Sequence, residues 1–141
     1  MTPRLKGRRR AVAQLLKEVA AWASRNDDVK AVALVGSYAR GAERMASDVD
    51  IVVLGDDPGL LDDPSWFQQL RPGSRLIRTE AWGPVRERRF RLSSGLIVEL
   101  GIAPSSWADV PLDSGTRRVL HDGHQIVYDT GLLKVASAAA L

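Results

Sequence analysis

Apolar residues recur at helical spacing over residues 10–24. Val12, Leu15, Leu16, Val19, Trp22 and Ala23 follow the i, i+3, i+4, i+7 rule, with Gln14, Lys17 and Glu18 mainly between them. The pattern predicts an amphipathic helix that ends in the turn Asn26-Asp27-Asp28. The periodicity then changes. "VKAVALVG" (29–36) and "DVDIVVLG" (48–55) are short apolar runs, which predict strands buried on both faces. Gly55-Asp56-Asp57-Pro58-Gly59 breaks the chain. "DPSWFQQL" (63–70) predicts a short helix with Asp63 as its cap and Pro64 in its first turn.

The second half reads as antiparallel sheet. "SRLIRTEAWG" (74–83), "VRERRFRL" (85–92) and "GLIVELGIA" (95–103) predict strands, with Ser94-Gly95 turning the last pair into a hairpin. Apolar residues do not alternate cleanly in "VRERRFRL", which predicts an edge strand with charged faces. Pro104 and Pro111 end the sheet. "DSGTRRVLHDG" (113–123) predicts a helix capped by Asp113 or Ser114 and stopped by Gly123, "HQIVYD" an extended piece, and "GLLKVASAAAL" a terminal helix. There is no internal repeat. The expected fold is one α/β (α+β) domain over residues 1–141, a mixed or antiparallel sheet flanked by helices, with the basic segment 1–9 as a flexible lead-in.

Composition narrows the class. With 141 residues and no cysteine, the chain can bury a core but can form neither disulfides nor thiolate metal sites, so a cytoplasmic location is expected. No apolar run approaches a membrane span, and the basic N-terminus is not followed by the apolar core of a signal peptide. The net charge is only +3, but arginines cluster at Arg4, Arg8, Arg9 and Arg10 and again at Arg86, Arg88, Arg89 and Arg91. Such runs are ordinarily solvated surface, and they also suit nucleotides, RNA or an acidic partner.

Three features carry candidate chemistry. Asp48 and Asp50 sit two apart at the mouth of a strand, so their side chains share a face about 7 Å apart. Two carboxylates so placed suit one or two hard divalent cations. Glu99 interrupts the apolar run "LIVEL" on a face with Ile97, and must be paired, metal-bound or at an opening. If its strand lies beside 48–55, Glu99 completes an acidic triad; an ion pair with a nearby arginine is the competing reading. Gly36-Ser37, at a strand end before a helical turn, offers N–H groups and a hydroxyl to phosphate. Taken alone it is an ordinary strand-to-helix turn. It is not a Walker loop: Gly36 and Gly41 have G-x4-G spacing, but Ala42-Glu43 stand where Lys-Ser/Thr belongs.

Gly36-Ser37, ten intervening residues, then Asp48-Val49-Asp50, with a carboxylate later in an apolar strand, together resemble the DNA polymerase beta-like nucleotidyltransferase superfamily. The closest resemblance is to its minimal nucleotidyltransferase (MNT) family. The resemblance implies an enzyme that moves an NMP, AMP from ATP or a unit of another NTP, to a hydroxyl acceptor with release of pyrophosphate. Asp48, Asp50 and Glu99 would be catalytic and would hold Mg²⁺, two ions in the family's manner. Gly36, Ser37 and Arg40 would bind the nucleotide, Arg40 being equally suited to a surface ion pair with Glu43. The ten residues after Ser37 would form a flap. The expected partner is a HEPN-type toxin, which an MNT antitoxin modifies, or a second copy of the chain. An aminoglycoside-like small molecule is an alternative acceptor and RNA is less favoured. A non-catalytic binding module of the same fold is the alternative from a different class.

The remaining candidates read as structural. His121 and His124 have Gly123 between them and no third ligand, so they predict a turn rather than a zinc site. Trp66, Trp82 and Trp107 read as packing residues, with Trp82 the best placed of them for an adenine contact.

Overall fold

The computed structural model describes residues 2–141. Its first helix, α1 (Pro3–Ser24), starts well before the apolar period does. The Thr2 side chain accepts from the Leu5 N–H, Pro3 stands at the first position, and the intervening arginines and Lys6 favour helix. Residues 3–9 of the basic segment expected to be a flexible lead-in are therefore the first two turns of a helix, and Met1 lies outside the described residues. Val12, Leu15, Leu16, Val19 and Ala23 form its buried stripe.

Six strands follow: β1 (Ala31–Val35), β2 (Val49–Gly55), β3 (Arg75–Trp82), β4 (Val85–Arg91), β5 (Ile97–Pro104) and β6 (His124–Asp129). They make one sheet in the order β3-β4-β5-β2-β1-β6. Every pairing is antiparallel except β2 with β5. The remaining helices are α2 (Gly36–Arg40), α3 (Ser65–Leu70), α4 (Ser114–His121) and α5 (Leu132–Ala139). This is the mixed sheet flanked by helices that the sequence predicts.

The sheet is covered on both faces. On one, α1 packs its stripe on Val32, Leu34, Ile51, Val53, Val98 and Leu100, continued by Phe67 and Phe90 with ring centroids 4.6 Å apart. On the other, Ala31, Ala33, Val52, Leu54 and Ala103 meet Leu120, Leu133 and Ala136. All five residues of β1 are buried, as the two-sided apolar run requires. The caps fall near where the sequence puts them. Asp63 Oδ1 accepts from the Ser65 N–H at 2.9 Å, and Asp113 accepts from the N–H groups of Gly115 and Thr116.

One strand is misplaced by the pattern. β4, expected at an edge, lies between β3 and β5, and the edge is the mostly exposed β3. Neighbouring acids make the interior position tolerable. Arg86 and Arg88 both pair with Asp62, Arg89 pairs with Asp48 and Glu99, and only Phe90 is fully buried. No helix among the described residues is long and apolar enough to cross a membrane.

Candidate active site

The alternation along β2 fixes where its acids point. Val49, Ile51 and Val53 enter the core under α1, and Val52 and Leu54 enter the opposite one, so Asp50 emerges on the second face. On β5, Val98 and Leu100 face α1, which turns Glu99 to the side of Asp50. The parallel register sets Asp50 directly beside Glu99. Asp48 lies just before the strand, and both its side chain and that of Glu99 are part-exposed.

The row continues across the sheet. Glu99 is paired in register with Arg89 of β4, and Arg89 with Arg78 of β3. The Arg89 guanidinium spans two of the acids, with Nη2 3.0 Å from Asp48 Oδ2 and Nη1 bonded to Glu99 Oε1. Arg78 Nε stands 3.0 Å from Glu80, and its Nη2 stands 3.7 Å from Glu87 and 3.9 Å from Glu99. Both readings of Glu99 thus meet in one place: it adjoins the aspartates, and it is paired with an arginine. Sequence reasoning missed Arg89, although its alternation with the buried Phe90 puts it on the face of Glu99.

Asp50 carries the electrostatic signature of the cluster. Burial first, then the hydrogen bond and charge of Glu99 and the charges of Asp48 and Glu87, push its pKa up to about 8. The donor set, hard carboxylate oxygens at a strand mouth, fits a divalent cation. The side chains are nevertheless not gathered into a ready cage. Among the described residues no three acidic or histidine groups stand at metal-holding distances.

Gly36 is fitted to Asp50. It opens α2 at φ +74°, and a Cβ there would run into the Asp50 carboxylate. Only glycine meets both conditions. Ser37 follows it, half-buried. Arg40 lies at the exposed end of α2 with its stem near Gly123. It makes no ion pair with Glu43; that partner is Arg9 of α1. The ten residues expected as a flap are less free than that word suggests. Tyr38–Arg40 belong to α2, Glu43 is buried under Arg9, and Ser47 Oγ accepts from the Arg44 N–H at 2.8 Å.

Residues 13–92 match the family described as nucleotidyltransferase domain, a span that holds Gly36, Ser37, Asp48 and Asp50. The chain belongs to the nucleotidyltransferase domain family. This nucleotidyltransferase domain is also similar in structure to Cid1, described for its RNA terminal uridylyl transferase activity. The TM-score is 0.51 at 14% identity, over 86% of this chain and 34% of Cid1. The chain therefore spans about a third of the length of that structural relative, and the likeness is one of fold. No curated protein matches it in sequence.

The other candidates fall where packing puts them. His124 Nδ1 donates to the Leu120 carbonyl at 2.8 Å and Nε2 accepts from Ser137 Oγ at 2.6 Å, while His121 Nδ1 donates to the Ala140 carbonyl at 3.0 Å. The two histidines tie α4 and β6 to α5. Trp66 stacks on Trp22 with centroids 3.8 Å apart and donates to the Leu61 carbonyl. Trp107 packs on the second core. Trp82 differs from the expectation: it is 61% exposed at the end of β3, so it is not a packing residue.

Proposed function

We propose that this domain transfers a nucleotidyl group, AMP from ATP in the favoured case, to a hydroxyl acceptor with release of pyrophosphate. The observation that carries the reading is the in-register pairing of Asp50 with Glu99 beside Asp48. It is joined by the fit of Gly36 against Asp50. Asp48, Asp50 and Glu99 are the residues that would hold Mg²⁺. Bound there, the ions would neutralise charge on the attacking and leaving oxygens.

The chain's own groups have distinct parts. The acidic cluster accepts the proton of the acceptor hydroxyl. That oxygen then bonds to the α-phosphorus as the bond to the bridging oxygen breaks, and pyrophosphate leaves. Ser37 and the backbone at Gly36 orient the phosphates, and Arg40, at the end of α2, is the arginine that would contact them. Positioning and charge supply most of the rate in such a transfer.

For the acceptor, the MNT resemblance supports a HEPN-type toxin protein, silenced by modification. RNA, the substrate named for Cid1, is the competing acceptor, and likeness at 14% identity speaks for the fold alone. The test supplies each α-labelled NTP with Mg²⁺ to wild type and to Asp48→Asn/Asp50→Asn, with a HEPN-type protein, RNA or an aminoglycoside as acceptor. Label on the HEPN-type protein from ATP, lost in the variant, is the expected result. Label on RNA or on the aminoglycoside would replace the acceptor. Tight partner binding with neither label nor pyrophosphate in any arm would leave a binding module and overturn the enzyme.

A further inference from the structure

We propose that Arg89 is a resident cation of the acidic cluster, which makes a divalent ion bind weakly alone and strongly together with a polyphosphate. The inference rests on the reading of Asp48, Asp50 and Glu99 as metal-holding residues.

The geometry is specific. Arg89 is in register with Glu99 and its guanidinium spans Glu99 and Asp48, two of the three acids that would hold metal. A divalent ion held by these oxygens takes over the partners of that guanidinium. Arginine cannot escape by losing a proton, so a full positive charge would stay beside the arriving ion. At such separations like charges oppose one another even at the higher effective dielectric of a protein surface.

The released side chain finds no free acid nearby. Glu87 and Glu80, on the same face, already have Arg78 beside them, at 3.7 Å and 3.0 Å. The neighbour in register on the far side is Arg78 itself, another positive charge. A polyphosphate changes this balance. Its oxygens accept the guanidinium fork in two parallel bonds, which neither water nor the spent carboxylates replace. Arg89 then passes from the carboxylates to phosphate as the ion takes the carboxylates. The same residue that neutralises the empty cluster becomes a phosphate partner in the loaded one.

The test measures binding rather than turnover. Free Mn²⁺ is followed by electron paramagnetic resonance against wild type, Arg89→Met, Arg89→Lys and Asp50→Asn. Separately, a fluorescent ATP analogue with an α,β-methylene bridge, which cannot be transferred, is titrated at saturating Mn²⁺. Arg89→Met is expected to bind Mn²⁺ alone at least tenfold more tightly than wild type, and the analogue at least fivefold more weakly. Arg89→Lys keeps the charge without the fork and is expected to lie between them in Mn²⁺ affinity. It serves as the deciding variant if Arg89→Met does not fold. Mn²⁺ affinity that is unchanged or weaker in the folded Arg89 variants overturns the proposal. If Asp50→Asn loses Mn²⁺ while Arg89→Met binds it as wild type does, the metal site stands and the role of Arg89 falls. If Asp50→Asn binds Mn²⁺ as wild type does, or no protein binds it, both fall.

Discussion

The Asp50 carboxylate rests where a side chain of Gly36 would have to stand. A strand mouth and a helix start are thereby fitted to each other at the centre of the candidate site. Gly36 and Gly41 both hold positive φ, at +74° and +68°, but a Cβ on Gly41 would meet open space. Alanine at either position takes on the backbone strain of about 1–2 kcal/mol. Only Gly36→Ala also displaces Asp50. We expect Gly41→Ala to lower thermal stability by a few degrees and leave nucleotidyl transfer within about threefold of wild type. Gly36→Ala should lower stability further and cut transfer at least tenfold. Equal losses of activity in the two variants would mean that the contact with Asp50 has no functional weight.

Asp50 in the metal-free protein resembles its own amide. Burial and Glu99 raise its pKa to about 8, so the neutral acid dominates at pH 7. Asp50→Asn preserves that neutral shape while removing the anionic oxygens. The expected outcome is a melting temperature within about 2 °C of wild type, with transfer reduced by a factor of a hundred or more. A large drop in melting temperature, measured by circular dichroism without divalent ions, would show instead that Asp50 is held as an anion.

The Arg9–Glu43 pair fastens α1 to the chain that follows α2. Its two ends differ, since the Glu43 side chain is only 4% exposed and that of Arg9 is 40% exposed. Removing the arginine leaves a buried acid alone, whereas Glu43→Gln removes the charge with it. Arg9→Met should therefore cost about 2 kcal/mol, less than a fully buried pair because water reaches Arg9. Glu43→Gln should cost less than half as much. Urea unfolding of both variants decides this, and the reverse order would refute it.

Asp113 gives a pH dependence with a definite sign. Bonds from the Thr116 backbone and side chain, then from Gly115, lower its pKa in the folded chain. A lowered folded value means that the capping anion stabilises above the ordinary carboxylate pKa. That contribution fades as pH falls through the lower folded value. Asp113→Asn can still accept at the cap but does not titrate. Melting temperatures of the two proteins should differ most above the ordinary carboxylate pKa and converge as the pH falls below it. A gap that stays constant across that range would contradict this account.

How much of this was legible beforehand differs from residue to residue. Asp50 and Glu99 announce themselves, because an acid among valines and leucines has few bland explanations. Their adjacency follows only once β2 pairs with β5, which no local pattern states. Arg89 was hidden by its company. In "VRERRFRL" four arginines look alike, and the register alone singles out the one opposite Glu99. The same strand looked like an edge because its counter-charges, Asp62, Asp48 and Glu99, are remote in sequence. The start of α1 was missed for another reason: a cap and helix-favouring arginines extend a helix beyond its apolar stripe.

The parallel pairing of β2 with β5 has a consequence for how the domain comes into being. Residues 56–96, including a whole antiparallel hairpin, intervene between the two strands that carry Asp50 and Glu99. Closing so long a loop has an entropic cost that local pairings such as β3 with β4 avoid, so it belongs late in assembly. A chain with only its hairpins formed sets Arg89 beside Glu99 but lacks Asp48 and Asp50 there, so neither the acid pair nor the full arginine bridge exists. Chemistry at this site is thus a readout of completed topology: a half-made domain is silent, and the first competent state is the finished sheet.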